Sequence, residues 1–169
     1  FGIELDVKKS LDFIGLRGLS LVCNAAYIHS RVRFEEGAPE RDRPLAGQSP
    51  YLVNAGLFYQ HDDKGISASL LYNRIGKRIE SVGVPMQNQN EDIPDIYEMP
   101  RNSLDLTFSK KIGKVVEIKA GIQDMLNSKI EYKQFVKLAD ENGGKREREQ
   151  LVRSYRPGVD INVGVSLKF

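Results

Sequence analysis

The last eleven residues of the chain alternate without a break between apolar and polar side chains. The apolar series is Val159, Ile161, Val163, Val165, Leu167 and Phe169, and the intervening series is Asp160, Asn162, Gly164, Ser166 and Lys168. A period of two predicts a β-strand with one apolar face. Eleven residues are enough to cross a hydrocarbon layer at a tilt, which takes about 9–11. A strand of a soluble sheet shows the same alternation, but here the chain ends on an aromatic residue of the apolar face.

Six further segments alternate in the same way and predict strands. They are residues 1–8, 19–27, 51–60, 66–73, 103–109 and 116–123. The connections between the seven strands alternate in length: 11–18, 61–65 and 110–114 are short, whereas 35–50, 76–100 and 124–156 are long. Transmembrane β-barrels have short periplasmic turns and long outer loops. If Phe169 lies at the periplasmic side, all three short turns lie there as well.

The predicted fold class is therefore all-β, with antiparallel up-and-down transmembrane β-barrel strands. Bacterial single-chain barrels have even strand numbers, and seven strands would leave two open edges. The sequence predicts that residues 1–169 are the C-terminal segment of a larger outer-membrane barrel.

The charged segment 124–156 admits two interpretations. The turn residues 141–144, Glu-Asn-Gly-Gly, predict that the last two strands continue past the membrane as a solvated hairpin. The alternative is a surface helix over residues 137–151.

Composition excludes several classes of protein. No apolar run approaches the ~18 residues of a membrane-spanning helix. The balance of 25 Lys and Arg against 23 Asp and Glu argues against a nucleic-acid-binding protein, which has a basic excess. Cys23 is the one cysteine, so it can form neither an internal disulfide nor a cysteine-based zinc site, and we interpret it as a small apolar strand residue.

No set of residues predicts catalysis, a cofactor or a metal site. His29 and His61 have no His or Cys neighbours, and Asn142-Gly-Gly-Lys145 is too short for a phosphate-binding loop. The acidic group Glu91, Asp92, Asp95 and Glu98 could hold Ca²⁺ but lacks the ligand order of a calcium loop. The mixed charges of residues 41–43 and 146–149 are typical of a solvated face; their functional alternative is contact with lipopolysaccharide or with an anionic ligand.

Three short motifs resemble the C-terminal part of TonB-dependent outer-membrane receptors. They are residues 43–54 (RPLAGQSPYLVN), 121–127 (GIQDMLN) and 155–158 (YRPG). In that family a Gly-x-x-Pro stretch leads into a strand, an N/D-x-L-N segment closes the next-to-last membrane strand, and Y-x-P-G-R opens the last one. Val159 stands where the family usually has Arg. The last strand, from Val159 to Phe169, also resembles the terminal signal that the outer-membrane assembly machinery reads.

The resemblance implies a 22-stranded barrel in the bacterial outer membrane, with a plug domain that is coupled to TonB and is not part of this chain. The acidic loops and Gly-rich strands are similar to those of receptors from the Bacteroidetes. It further implies uptake of a nutrient such as an iron complex, cobalamin or a glycan, caught by the outer loops, and contact with membrane lipid and lipopolysaccharide.

Two other functions stay open from the sequence. One is a passive porin or adhesin-type barrel, which differs in having no plug. The other is a soluble all-β binding module, in which protein covers the apolar face of the last strand.

Overall fold

The computed structural model describes residues 1–85, 92–139 and 145–168, and these residues form two antiparallel sheets. The strands are β1 (Gly2–Ser10), β2 (Leu19–Ile28), β3 (Tyr51–His61), β4 (Ile66–Ile75), β5 (Arg78–Ser81), β6 (Ile96–Glu98), β7 (Arg101–Ile112), β8 (Val116–Gln123), β9 (Ile130–Ala139), β10 (Lys145–Tyr155) and β11 (Asp160–Leu167). The described residues contain one 3-10 turn, Asp12–Ile14, and no α-helix. The all-β prediction is confirmed.

The larger sheet has seven strands in the order β1-β2-β3-β4-β7-β8-β11. It is an antiparallel meander of the seven strands that the alternation predicts. Its three short connections lie at one end of the strands, here called the short-connection edge. Its three long connections lie at the other end, the long-connection edge, as predicted. The sheet is open, since β1 and β11 are its two free edges.

The smaller sheet, ordered β10-β9-β6-β5, is built from the long connections. β9 and β10 pair as the predicted hairpin, and the alternative helix over 137–151 is wrong for the described residues. The predicted turn at 141–144 lies outside them. The hairpin is not isolated, however, because β6 pairs with both β9 and β5. The connection 76–100 was predicted as a loop, but it contains β5 and β6, which are too short to show a period of two.

The strands of the larger sheet are tilted relative to its short-connection edge. Lys9 lies one residue before Ser10, where the β1–β2 ladder ends. Successive pairing from strand to strand places Lys9 in one row with Leu21, Leu57, Leu70 and Leu106. Leu106 lies six residues before Ile112, the end of the β7–β8 ladder. The edge therefore advances by five residues over four strand positions, about 17 Å along the strands against about 19 Å across them. Over β1 to β7, the strands therefore tilt by about 40° from the perpendicular to this edge.

The only buried side chains of the described residues lie near the smaller sheet. They are Ile79 (1% exposed), Ser49 (6%) and Tyr132 (9%). The Gly47 N–H donates to the Ile79 carbonyl (2.8 Å), so the connection before β3 covers the β5 edge. The larger sheet has no second layer over either face within the described residues.

The turn between β1 and β2 depends on Gly18. Its φ is +75°, and a Cβ there would lie 2.2 Å from the Gln60 carbonyl oxygen on β3. Gly15, in the same turn, also has positive φ (+84°) but no atom near its Cβ position. Both Gly→Ala changes place alanine in a left-handed conformation, which costs about 1–2 kcal/mol. Only Gly18→Ala would also push the turn away from the backbone of β3. We expect Gly18→Ala to lower the free energy of unfolding by about 3 kcal/mol or more.

The measurement is urea unfolding of the two variants side by side, followed by circular dichroism. Equal losses for Gly15→Ala and Gly18→Ala would show that the contact with β3 is not tight.

Candidate functional site

The seven-stranded sheet has one apolar face that is continuous across all its strands. The register aligns Leu21, Leu57, Leu70, Leu106, Ile122 and Ile161 in one row, in which β1 places Lys9. The next aligned row is Val7, Cys23, Ala55, Tyr72 and Leu104. Cys23 therefore lies on a strand among small and apolar residues, as predicted. Leu57 and Leu70 remain 39% and 36% exposed, so no other part of the described chain covers this face.

The predicted assembly-signal strand is the free edge of this sheet. Ile161, Val163, Val165 and Leu167 lie on the apolar face of β11, in register with β8, and are 54–73% exposed. Val159 was predicted as the first residue of this strand, but β11 begins one residue later, at Asp160. Phe169 lies outside the described residues. The structure thus presents four of the six predicted residues as one exposed apolar row.

The opposite face is polar and carries a row of amides. Asp6, Asn24, Asn54, Asn73 and Ser103 are register neighbours on five successive strands. Asn73 Nδ2 donates to Asn54 Oδ1, and Asn24 Nδ2 donates to Glu4 Oε1 (3.2 Å). Such cross-strand pairs stabilise a sheet laterally.

An apolar island interrupts this polar face. Val22, Gly56 and Leu71 are register neighbours, and Phe58 lies on the same face of β3. A Cβ on Gly56 would lie 2.8 Å from both the Leu71 and the Phe58 side chains. Phe58 and Leu71 remain 40% and 38% exposed. The polar face therefore offers apolar contact as well as hydrogen bonds.

The three family-like motifs all lie where the chain enters or leaves the larger sheet at its long-connection edge. In the first, Ser49 Oγ donates to the Tyr51 carbonyl (2.7 Å), which also accepts from the Gly76 N–H (3.1 Å). In the second, Asp124 (φ +52°) and Asn127 (φ +43°) end β8 with left-handed backbone. Both residues lie in the six-residue connection 124–129 between β8 and β9.

The second and third motifs contact each other directly. Asn127 Oδ1 accepts from the Gly158 N–H (3.1 Å), and Arg156 Nη1 donates to the Asn127 carbonyl (2.6 Å). Asp124 pairs with Arg101 (2.5 Å), and its N–H donates to Asp105 Oδ1 (2.8 Å). Residues 31 positions apart are thus joined at the junction between the two sheets.

A cleft of about 350 Å³ lies among the long connections. Its lining comes from residues 40–44, 82–83, 85 and 92–95, together with Tyr97, Phe135, Val136 and Glu147. Tyr97 and Phe135 meet edge to face, with ring centroids 5.7 Å apart. Arg41 forms an ion pair with Asp92 across the cleft. A cleft lined by two aromatic rings and several charged side chains can hold a small polar molecule.

Acidic groups surround Tyr97 in this cleft. Burial raises the pKa of the Tyr97 phenol, and the charges of Asp95 and Glu147 raise it further. The phenol therefore stays protonated at neutral pH and can donate a hydrogen bond. The charged runs 41–43 and 146–149 are largely exposed, in agreement with the predicted solvated face, and Arg41, Asp42, Arg43 and Glu147 also line the cleft.

The remaining candidate residues of the described chain contact other parts of the protein. Glu91 lies outside the described residues. Asp95 accepts from the Gly83 N–H (2.7 Å) and Glu98 pairs with Arg78 (2.7 Å), so these carboxylates bind the protein itself. His29 stacks on Phe1, with centroids 5.0 Å apart, and His61 Nδ1 accepts from the Lys64 N–H (3.4 Å). The described residues hold no group of three potential metal ligands.

The sequence did not predict the pair of aromatic rings that lines the cleft. Tyr97 and Phe135 are 38 residues apart, and only the pairing of β6 with β9 brings them together. Lys77 Nζ lies 4.6 Å from both ring centroids, a cation–π contact that no local motif signals.

Asp42 makes the segment before β3 sensitive to acid. The Phe34 N–H (3.2 Å) and Arg31 both bind its carboxylate, and they lower its pKa. A lowered pKa in the folded state stabilises the segment above the unfolded-state value of about 3.9, and this stabilisation is lost as the pH falls through the folded-state value. We expect the Phe34 amide to lose hydrogen-exchange protection, corrected for intrinsic rates, between pH 5 and pH 2. Asp42→Asn should show no such transition, and an unchanged transition in that variant would contradict this assignment.

Comparison with protein-family models, with curated proteins and with solved structures found no match. No helix among the described residues has the length and apolar character needed to cross a membrane.

Proposed function

We propose that this chain forms part of the barrel wall of a TonB-dependent receptor in the bacterial outer membrane, which takes up a nutrient such as an iron complex, cobalamin or a glycan. The observation that carries the proposal is the apolar face that runs in register across seven strands and remains exposed. Lipid is the solvent that suits such a face, while the amide row on the opposite face suits a polar lumen. A soluble module would instead cover the apolar face with protein.

The tilt and the strand directions also support a barrel. A tilt of about 40° falls within the roughly 35–45° of transmembrane barrels. β1 and β11 run in the same direction, because they are the first and seventh strands of an antiparallel meander. An all-antiparallel closure therefore needs an odd number of further strands between them, which gives the even total of bacterial barrels.

The motif contacts favour this family in particular. The resemblance rests on short motifs in a given order, and the hydrogen bonds of Asn127 join the second motif to the third. Arg156 takes part in this junction although Val159 departs from the family pattern. The long connections, with their cleft, would then lie outside the cell and bind the ligand first.

The apolar island on the polar face favours a receptor with a plug over a passive porin. Phe58 and Leu71 would face water in an open pore, whereas a folded domain inside the barrel would cover them. In this account the chain supplies wall, loops and assembly signal, and it contributes no catalytic group.

Uptake measurements in the native host test the proposal. Cells with and without the intact protein are given labelled iron complexes, cobalamin or oligosaccharides, in the presence or absence of an uncoupler of the proton gradient. The proposal predicts saturable uptake that the uncoupler abolishes and that a Tyr97→Ala, Phe135→Ala variant weakens. Uptake that is linear in concentration and insensitive to the uncoupler would contradict it and indicate a passive pore.

A further inference from the structure

The short-connection edge of the seven-stranded sheet carries a large excess of basic residues. We define this edge as residues 8–19, 61–66, 110–116 and 167–168. Its eight cations are Lys8, Lys9, Arg17, Lys64, Lys110, Lys111, Lys114 and Lys168, and its three anions are Asp12, Asp62 and Asp63. The long connections 29–50, 76–100 and 124–159 contain 14 basic and 15 acidic residues. The two edges of the sheet therefore differ in charge.

Among the described residues, Arg17 is the one cation of the short-connection edge that acts on a carboxylate, that of Asp12, and it does so without forming an ion pair. None of the eight occurs in an ion pair, whereas six of the seven ion pairs among the described residues involve the long connections. Lys110 Nζ donates to the Lys64 carbonyl, and Lys9 lies over the Phe13 ring at 5.4 Å. The other six side chains are exposed. These charges are available to an external anion.

Exposed apolar side chains lie among these cations. Phe13, Ile14 and Leu16 follow β1, and Ile112 and Val115 lie at the β7–β8 turn; all five are 48–70% exposed. Apolar side chains interspersed with lysines are typical of the headgroup region of a bilayer, where the hydrocarbon parts enter the lipid and the ammonium groups stay at the phosphates. A soluble polyanion would contact the cations but leave the apolar residues in water.

We propose that the short-connection edge binds the headgroups of anionic phospholipids. The inference rests on the proposed function, because the edge meets headgroups only if the apolar face of the sheet lies in lipid. The anion is a lipid phosphate, and the attraction is electrostatic, so it should weaken as salt shortens the Debye length from about 10 Å at 0.1 M to about 3 Å at 1 M. Lysines near such a surface each contribute measurably to binding.

The absence of tryptophan in the chain allows a clean test. Val115→Trp places a single reporter at the edge, and the full chain is reconstituted into vesicles that contain brominated phosphatidylcholine or brominated phosphatidylglycerol. The ratio of fluorescence quenching gives the preference for the anionic lipid. We expect a preference on the order of five-fold in low salt, falling towards one in 1 M NaCl.

Two triple variants separate the edge from overall charge. Lys64→Gln with Lys111→Gln and Lys114→Gln should reduce the preference to about one in low salt. The matched control, Arg33→Gln with Lys129→Gln and Arg148→Gln, removes the same charge from exposed positions of the long connections and should retain the preference. Equal effects of the two sets would overturn the inference.

The reporter also distinguishes failure of the inference from failure of the proposed function. Equal quenching by the two brominated lipids in low salt would overturn the inference, but it would leave the membrane assignment intact because the reporter meets lipid. No quenching by either lipid, with the chain recovered outside the vesicles, would overturn both.

Discussion

Leu70→Arg is expected to destabilise the membrane-inserted sheet by about 2–4 kcal/mol, whereas Leu71→Arg, one residue away, is expected to cost about 1 kcal/mol or less. The two leucines are neighbours on β4 and are almost equally exposed, at 36% and 38%. Leu70 lies in the apolar row, and Leu71 lies on the polar face. Arginine at the centre of the lipid face must enter hydrocarbon, whereas arginine on the polar face lies beside the amide row and does not enter hydrocarbon.

The measurement is the free energy of unfolding in phospholipid vesicles, together with the amount of each variant in the outer-membrane fraction. Each variant serves as the other's control, because residue type, strand and exposure are matched. A larger loss for Leu71→Arg would show that the two faces have been assigned the wrong way round.

Asp124→Ala is expected to cost about 2–4 kcal/mol, since it disconnects the junction between the two sheets. Asp124 and Arg101 form an ion pair in which their side chains are 14% and 25% exposed. Removing one partner of such a poorly solvated ion pair leaves the charge of the other uncompensated. The neighbouring Arg101 Nε and Asp124 Oδ1 are buried without a partner among the described residues, so little solvent is available to replace the lost contact. Alanine also disfavours the φ of +52°.

Asp124→Asn is the matched comparison. Asparagine tolerates the left-handed backbone and keeps an acceptor for Arg101, so it should lose only the charge, about 1–2 kcal/mol. Unfolding of both variants in denaturant measures the difference. If Asp124→Ala were as stable as the unchanged chain, the junction would not hold the two sheets together.

The seven-stranded sheet was predictable because the side chains of each strand alternate between an apolar face and a more polar face. Alternation over eight or more residues, as in β3 and β11, shows this preference directly. The same reasoning gave the order of short and long connections. The register that aligns Leu57 with Leu70 follows from keeping the alternating apolar series of each strand on one face, since a slip by one residue would place it on the other.

The smaller sheet and the cleft were less predictable, for identifiable physical reasons. β10 is charged on both faces, and a bulge between Leu151 and Arg153 breaks its period. β5 and β6 have four and three residues and depend on pairing with distant segments. The cleft requires contacts such as Arg41 with Asp92, 51 residues apart, and no local pattern encodes them.

Asp92, Asp95 and Glu98 illustrate why the acidic group could not be interpreted from sequence. Four carboxylates within eight residues suggest a cation site. In the folded chain Arg41 and Arg78 neutralise two of them, and a backbone N–H binds the third. The partners come from other segments, so composition alone could not show that these charges are compensated.

The central claim is that the apolar face of the seven-stranded sheet lies in lipid, and one pair of reporters tests it directly. Because the chain has no tryptophan, Leu70→Trp and Leu71→Trp each give a single fluorophore on opposite faces of β4. In vesicles of phosphatidylcholine brominated on the acyl chains, the account predicts strong quenching for Leu70→Trp and weak quenching for Leu71→Trp. Equal quenching of the two, or a chain that remains outside the vesicles with neither reporter quenched, would contradict it.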